Sequence, residues 1–201
     1  MSDKYEKWKN MYQAGQAGQY PWELGKPRDF LVELVEKGMV QGRKGLDTCC
    51  GLGTNSLFLA EKGFDVTGID ISGDAVKIAN QRARKEAMSK SAHFQVENFM
   101  NMKFDAMSFD FVLDVGCFHH VAKEDRNFFI ENVHRLLRPS GRYLLMCFSD
   151  HMERAWNHFS ERQIVKLFSR HFEILALDEI SSVEGDGITR FFYVVLMEKP
   201  G

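Results

Sequence analysis

Two short stretches hold the residues best placed to bind a ligand and act on it. The first is Gly45-Leu46-Asp47-Thr48-Cys49-Cys50-Gly51-Leu52-Gly53-Thr54-Asn55, where an apolar run gives way to glycines. Glycines between a strand and a helix permit unusual backbone angles and let a ligand approach the main chain. The helix start behind them offers free N–H groups. The second stretch is Val66-Thr67-Gly68-Ile69-Asp70-Ile71-Ser72, in which a carboxylate ends an apolar run. Asp70 lies 19 residues after Gly51, near the ~20-residue spacing at which an acidic side chain grips ribose hydroxyls. Together they predict a site for a nucleoside-bearing ligand.

The pattern does not suit a dinucleotide. That fingerprint requires G-x-G-x-x-G, and Gly51-Leu52-Gly53-Thr54-Asn55-Ser56 lacks the third glycine. Asp47 precedes the turn, and a carboxylate there suits a cation better than a pyrophosphate. S-adenosylmethionine carries a sulfonium and an ammonium and no phosphate. No metal is expected, because Cys49, Cys50, Cys117 and Cys147 form neither a C-x-x-C pair nor a Cys/His set with zinc spacing. All four read as reduced thiols of a cytoplasmic protein.

The elements that must hold these residues follow from periodicity and punctuation. Residues 3–12 read as a short helix, 14–27 as an irregular segment rich in glycine and proline, and 28–37 as a helix stopped by Gly38. Strands are expected over 44–48, 65–69, 92–96, 109–115, 142–148, 172–180 and 190–198. Helices are expected over 54–62, from the Ser72 cap to about 86, over 124–137 with a stop at Arg138-Pro139, and over 160–170. Strand–helix alternation argues for a doubly wound, mostly parallel α/β sheet. The short connection Glu184-Gly185-Asp186-Gly187-Ile188 forces the last two strands to pair antiparallel. The whole chain, 1–201, reads as one domain, with 1–37 as N-terminal helices and lid segment and 38–201 as the core fold.

Composition narrows the partners. Apolar residues make up 44% and charged residues 27%, with a net charge of −2, so the basic footprint of a nucleic-acid binder is missing. No apolar run reaches the ~18 residues of a membrane span, and the first ten residues lack the apolar stretch of a signal peptide. The expected partner is a small-molecule substrate, with no nucleic acid and no membrane, in a cytoplasmic monomer or weak homodimer.

The motifs resemble those of class I S-adenosylmethionine-dependent methyltransferases over about residues 20–148. Leu46-Asp47-Thr48-Cys49-Cys50-Gly51-Leu52-Gly53-Thr54-Asn55 and Val66 to Ser72 are similar to the family's first two motifs, and Val96-Glu97-Asn98-Phe99 to its adenine-binding segment. Phe109 to His120 resembles the fourth motif, and Arg135 to Tyr143 the "R-L-L-x-P-G-G" turn. The resemblance implies a seven-stranded Rossmann-like methyltransferase sheet with an antiparallel seventh strand. It implies S-adenosyl-L-methionine as cofactor and S-adenosyl-L-homocysteine as product. Carried over by position, Asp47, Cys49, Gly51 and Gly53 line the methionine part, and Asp70 holds the ribose with Ile71 beside the adenine. Asn98 and Phe99 meet the adenine, and Asp114 with Val115 borders the methionine end. Cys49, Asn98 and Ser140 stand where the family usually has glycine, aspartate and glycine.

Tyr20-Pro21-Trp22-Glu23-Leu24-Gly25-Lys26-Pro27 resembles the "P-W-D-x-G-x-P" segment of the thiopurine, thiol/halide and tellurite-resistance branches, with Glu23 for the usual aspartate. That implies a lid over the cofactor and a soft nucleophile as acceptor. Trp22 is expected to shield the sulfonium, and Trp8, Tyr12 and Tyr20 to join it on the substrate side. His119 and His120 follow the fourth strand and are candidate bases or orienting groups. Cys147 and His151, at the end of the fifth strand and beyond it, are candidate substrate contacts. Methyl transfer to oxygen, nitrogen or carbon of a small molecule is the alternative, and a cofactor-binding module without turnover is another of a different class.

Overall fold

The structure is a computed structural model that describes residues 5, 8–9, 12, 20–152 and 157–201. Seven strands form one sheet in the order β3-β2-β1-β4-β5-β7-β6. They are β1 (Lys44–Thr48), β2 (Asp65–Asp70), β3 (Ala92–Val96), β4 (Phe109–Val115), β5 (Leu137–Phe148), β6 (Glu173–Val183) and β7 (Thr189–Glu198). Strands β1 to β5 run parallel, and β7 lies antiparallel between β5 and β6. The expected seven-stranded doubly wound sheet with its antiparallel C-terminal strand is the fold observed.

The helices are α1 (Asp29–Glu36), α2 (Thr54–Glu61), α3 (Gly73–Lys85), α4 (Arg126–Leu136) and α5 (Glu161–Phe168). Strand alternation divides the core between the two faces of the sheet. Leu46, Val112, Leu145 and Cys147 point to one face, packing with Phe118, Phe129 and Phe168. Phe111, Leu113, Leu144 and Met146 point to the other, packing with Phe30 and Leu31 of α1. Ser72 caps α3 by accepting the Ala75 N–H, and Ser160 closes a reciprocal capping box with Gln163 at α5.

Boundaries around α4 and β5 differ from expectation. The helix over 124–137 is shorter, because Lys123–Asp125 forms a separate 3-10 turn, and β5 begins at Leu137 instead of residue 142. Leu137 pairs with Phe109, and the register shifts before Phe111 meets Arg142. Ser140 absorbs the irregularity in the left-handed region at φ 59°, which is what a glycine there would do more cheaply. The helix expected over 3–12 falls mostly outside the described residues. Among the described residues, no helix is long and apolar enough to cross a membrane.

The order of β1 and β4 reverses the direction in which the sheet is wound, so a crevice opens between their carboxyl ends. Both glycine-turn and Asp70 stretches end at that edge.

Candidate active site

The glycine turn is held by backbone geometry and one carboxylate. Cys49, Gly51 and Gly53 take φ of 53°, 54° and 80°, the left-handed region that L side chains rarely adopt. Asp70 ties this turn to the end of β2. Its Oδ2 accepts the Gly51 N–H at 3.0 Å and its Oδ1 the Ser72 N–H at 2.8 Å. An ionised carboxylate has about four lone-pair positions, so Asp70 retains capacity for ribose hydroxyls. Asp47 is buried and accepts from Ser56 Oγ at 2.6 Å. Burial raises its pKa to about 7, reinforced by the neighbouring Asp114 and Asp70 carboxylates. A buried negative cluster of this kind calls for a cationic ligand.

Four aromatic side chains cover the turn. Trp22 Nε1 donates to Tyr12 Oη at 2.7 Å, and Tyr20 stacks on Trp22 with centroids 5.5 Å apart. Trp8 meets Trp22 edge-on at 5.9 Å. A Cβ on Gly51 would lie 3.0 Å from Tyr12 Oη, which places Tyr12 directly over the turn. Arg28 straps this segment down. Its guanidinium donates to both carboxylate oxygens of Glu184 at 2.6 and 2.8 Å and to the Trp22 carbonyl at 3.0 Å. Gly185 N–H also donates to the Pro21 carbonyl at 2.7 Å. The turn between β6 and β7 therefore anchors the lid.

Beneath the lid lies a cavity of about 840 Å³, large among small-molecule sites, which run ~300–1,000 Å³. Asp47, Cys49, Gly51, Asp70, Ile71 and Phe99 line its floor. The other end is walled by Val115, His119, His120, Met146, Phe148 and Phe192. There the rings form a ladder: His119 stacks on Phe148 at 4.0 Å, and Phe148 on Phe192 at 5.0 Å. His119 Nδ1 accepts the Phe148 N–H at 3.3 Å. Burial, with His120 beside it, holds the His119 pKa well below that of a free histidine. The ring is therefore neutral with its proton on Nε2, and it offers the cavity a donor.

Of the residues expected at the site, Trp8, Tyr12, Tyr20, Trp22, Asp47, Cys49, Gly51, Asp70, Ile71, Phe99, Val115, His119 and His120 share this one cavity wall. Five do not lie on it. Gly53 shapes the turn from behind: a Cβ there would come within 2.7 Å of Phe94 and 3.1 Å of Ala79. Asn98 caps its own turn, accepting the Met100 N–H. Asp114 is buried under the site, accepting from Tyr143 Oη at 3.0 Å and Cys117 N–H at 2.8 Å. Cys147 is fully buried in the core, because the strand period turns its neighbours Met146 and Phe148 to the cavity instead. His151 points away and meets Glu179 at 2.7 Å. A second correction concerns the thiols: Cys49 and Cys117 form a disulfide with Cα atoms 5.7 Å apart, while Cys50 and Cys147 are free.

Sequence reasoning missed Arg28, Glu184 and Phe192. Arg28 reads as a helix-start residue and Glu184 as a turn residue, so nothing local signals that they meet. The parity of β5 and β7 would have found Phe148 and Phe192.

The fold and this edge-of-sheet site can be compared with known proteins. Residues 46–141, just under half of the chain, match the family model described as a methyltransferase domain. A 2-heptyl-1-hydroxyquinolin-4(1H)-one methyltransferase of Mycobacteroides abscessus is 28% identical over 132 residues, 66% of this chain and 57% of that protein. A probable thiol methyltransferase of Arabidopsis thaliana is 29% identical over 133 residues, 66% of this chain and 58% of that one. The match thus spans less than two thirds of these relatives' own length. Among solved structures, a SAM-dependent methyltransferase of Methanosarcina mazei shows 25% identity and a TM-score of 0.74, covering 83% of this chain and 97% of that one. A Burkholderia thailandensis 1,6-didemethyltoxoflavin N1-methyltransferase, solved with S-adenosylhomocysteine, shares the fold with a TM-score of 0.78 at 19% identity, covering 100% and 92%.

Proposed function

We propose that this protein binds S-adenosylmethionine under its aromatic lid and transfers the methyl group to a small-molecule soft nucleophile, namely a thiol, a thiopurine, a selenium or tellurium species, or a halide. S-adenosylhomocysteine is the product. The bound cofactor supplies an electrophilic methyl on a sulfonium. The chain's own residues position it: Asp47 faces the cationic methionine end, Asp70 the ribose, and Phe99 and Ile71 the adenine. Trp22 closes over the cavity and excludes water from the line of transfer.

The observation that carries the acceptor class is the state of His119. Its Nδ1 is occupied by the Phe148 N–H and its basicity is suppressed by burial. It can orient an acceptor through Nε2–H but is poorly suited to remove a proton. A thiolate, selenide, telluride or halide needs no base, whereas a neutral hydroxyl does. The thiol-methyltransferase relative agrees with this reading. His120, on the same wall and 4.5 Å from the Trp8 ring, is the group through which an oxygen or nitrogen acceptor would be served. The reading includes a monomer or weak homodimer without nucleic-acid or membrane partners, and the Cys49–Cys117 bridge removes the reduced-thiol argument for a cytoplasmic location.

The test is S-adenosylhomocysteine release with thiols, thiopurines, selenite, tellurite, iodide, catechols and amines as acceptors. Turnover confined to the soft nucleophiles is expected. Turnover only on catechols or amines overturns the acceptor class and moves the chemistry to His120. Cofactor binding without turnover on any of them favours a binding module.

A further inference from the structure

The Cys49–Cys117 bridge sits where redox state and ligand binding meet. Cys49 is part of the turn over which the cofactor is proposed to lie, and it is half-buried on the cavity wall. Cys117 is buried at 1% exposure, and its N–H is fixed to Asp114 Oδ1. Two residues beyond it comes His119, on the acceptor end of the same cavity. The bridge therefore spans the crevice between the ends of β1 and β4 and joins cofactor floor to acceptor wall.

We infer that Cys49 is a reversible redox-modification site, and that the bridged form of the protein is the form that binds cofactor tightly. The proposal rests on the cofactor reading given above. A dithiol reductant enters through the cavity and attacks Sγ of Cys49, the less buried member of the pair. The Cys49–Cys117 bond breaks and Cys117 leaves as a thiolate that takes up a proton. The reductant's second thiol then releases Cys49 as a thiol, and the reductant becomes the disulfide. Two electrons and two protons pass to the protein. A low-molecular-weight disulfide reverses the exchange.

The consequence for the site follows from packing. Two thiols cannot sit at bonding distance, and separate to roughly 3.5–4 Å, the spacing of non-bonded heavy atoms. Cys117 is enclosed by Phe118, Phe129 and the rest of its core, so Cys49 is the side chain with room to move. That room is the cavity. Reduction places the Cys49 thiol, and the backbone of a turn already at φ 53°, into the volume that the methionine end of the cofactor needs.

The test uses the whole chain in two states, prepared with oxidised glutathione or with dithiothreitol, each mapped by iodoacetamide alkylation and peptide mass. Calorimetric titration with S-adenosylhomocysteine then reads affinity. Reduction is expected to weaken binding by about fivefold or more, the scale of overpacking a fitted site. Cys117→Ser is expected to bind weakly whether or not reductant is present. Equal affinity of the two states overturns the proposal, as does finding Cys49 and Cys117 both alkylated after oxidation. Binding in neither state brings down the cofactor reading and the proposal with it, an outcome that the alkylation map keeps distinct from a failed bridge.

Discussion

Replacing Glu184 with glutamine isolates the strap that holds the lid. Glu184 and Arg28 are both buried, with side-chain exposures of 2% and 8%, and they meet through bonds of 2.6 and 2.8 Å. Glu184→Gln keeps the shape but removes the charge, leaving the guanidinium buried beside a neutral amide. Losing one partner of a buried pair costs ~3–5 kcal/mol, most of it the stranded charge. For a chain of this size ~1 kcal/mol moves the melting temperature by ~2–4 °C, so even the lower figure gives a fall of roughly 6–12 °C. Arg28→Met with Glu184→Leu removes both charges and is expected to return to within ~1–2 kcal/mol of the parent. Cofactor affinity falls in the single variant too, because the same guanidinium holds the Trp22 carbonyl. Urea denaturation of the parent, Arg28→Met, Glu184→Leu and the double variant forms the cycle, with Glu184→Gln measured beside it. A single-variant loss below ~0.5 kcal/mol, or a double variant as unstable as the single, refutes the reasoning.

Asp47 gives a pH signature. Its pKa of about 7 in the ligand-free protein means that the ammonium of S-adenosylhomocysteine must displace a proton from Asp47 below that pH, so affinity weakens toward about tenfold per unit below pH ~7 and is flat above ~8. The stability contribution runs the other way: with the folded pKa raised from 3.8, it is full below about pH 4 and is lost as pH rises through about 7. Calorimetry and urea melts across that window check both, and pH-independent affinity contradicts them. Trp22→Ala is expected to lower methyl transfer by about tenfold or more while costing under ~1.5 kcal/mol, since the ring is 38% exposed; an equal loss of folding leaves it as packing alone. Gly53→Ala, with φ 80° and a Cβ 2.7 Å from Phe94, is expected to cost ~2–4 kcal/mol. Gly63→Ala, with positive φ but no atom within 4 Å, should cost ~1–2 kcal/mol; similar losses for both would refute the close-packing argument.

Much of the fold was legible because its signals are local. Strand β4 shows as an apolar run and Ser72 as a cap, and the short 184–188 turn dictates the antiparallel end. The start of β5 was hidden because Arg138-Pro139 reads as a stop, whereas the chain passes straight from α4 into a strand through Ser140 at positive φ. At the site, the glycine turn and Asp70 were visible by spacing. Asp114 lies off the cavity wall, and position in a motif does not reveal that Tyr143 and two N–H groups already occupy its carboxylate. Cys147 was chosen one residue out of phase with the wall. The Arg28–Glu184 pair spans 156 positions and has no local sign. The Cys49–Cys117 bridge was missed because compartment, not geometry, guided the reading of the thiols.

The crevice between β1 and β4 is expected to hold a nucleoside with an ammonium-bearing amino-acid tail and not a dinucleotide. Calorimetric titration of the oxidised chain with S-adenosylhomocysteine and, separately, with NAD tests it most directly. One-to-one binding of S-adenosylhomocysteine with none of NAD is predicted. Binding of NAD, or no heat with S-adenosylhomocysteine at any pH, would contradict the account.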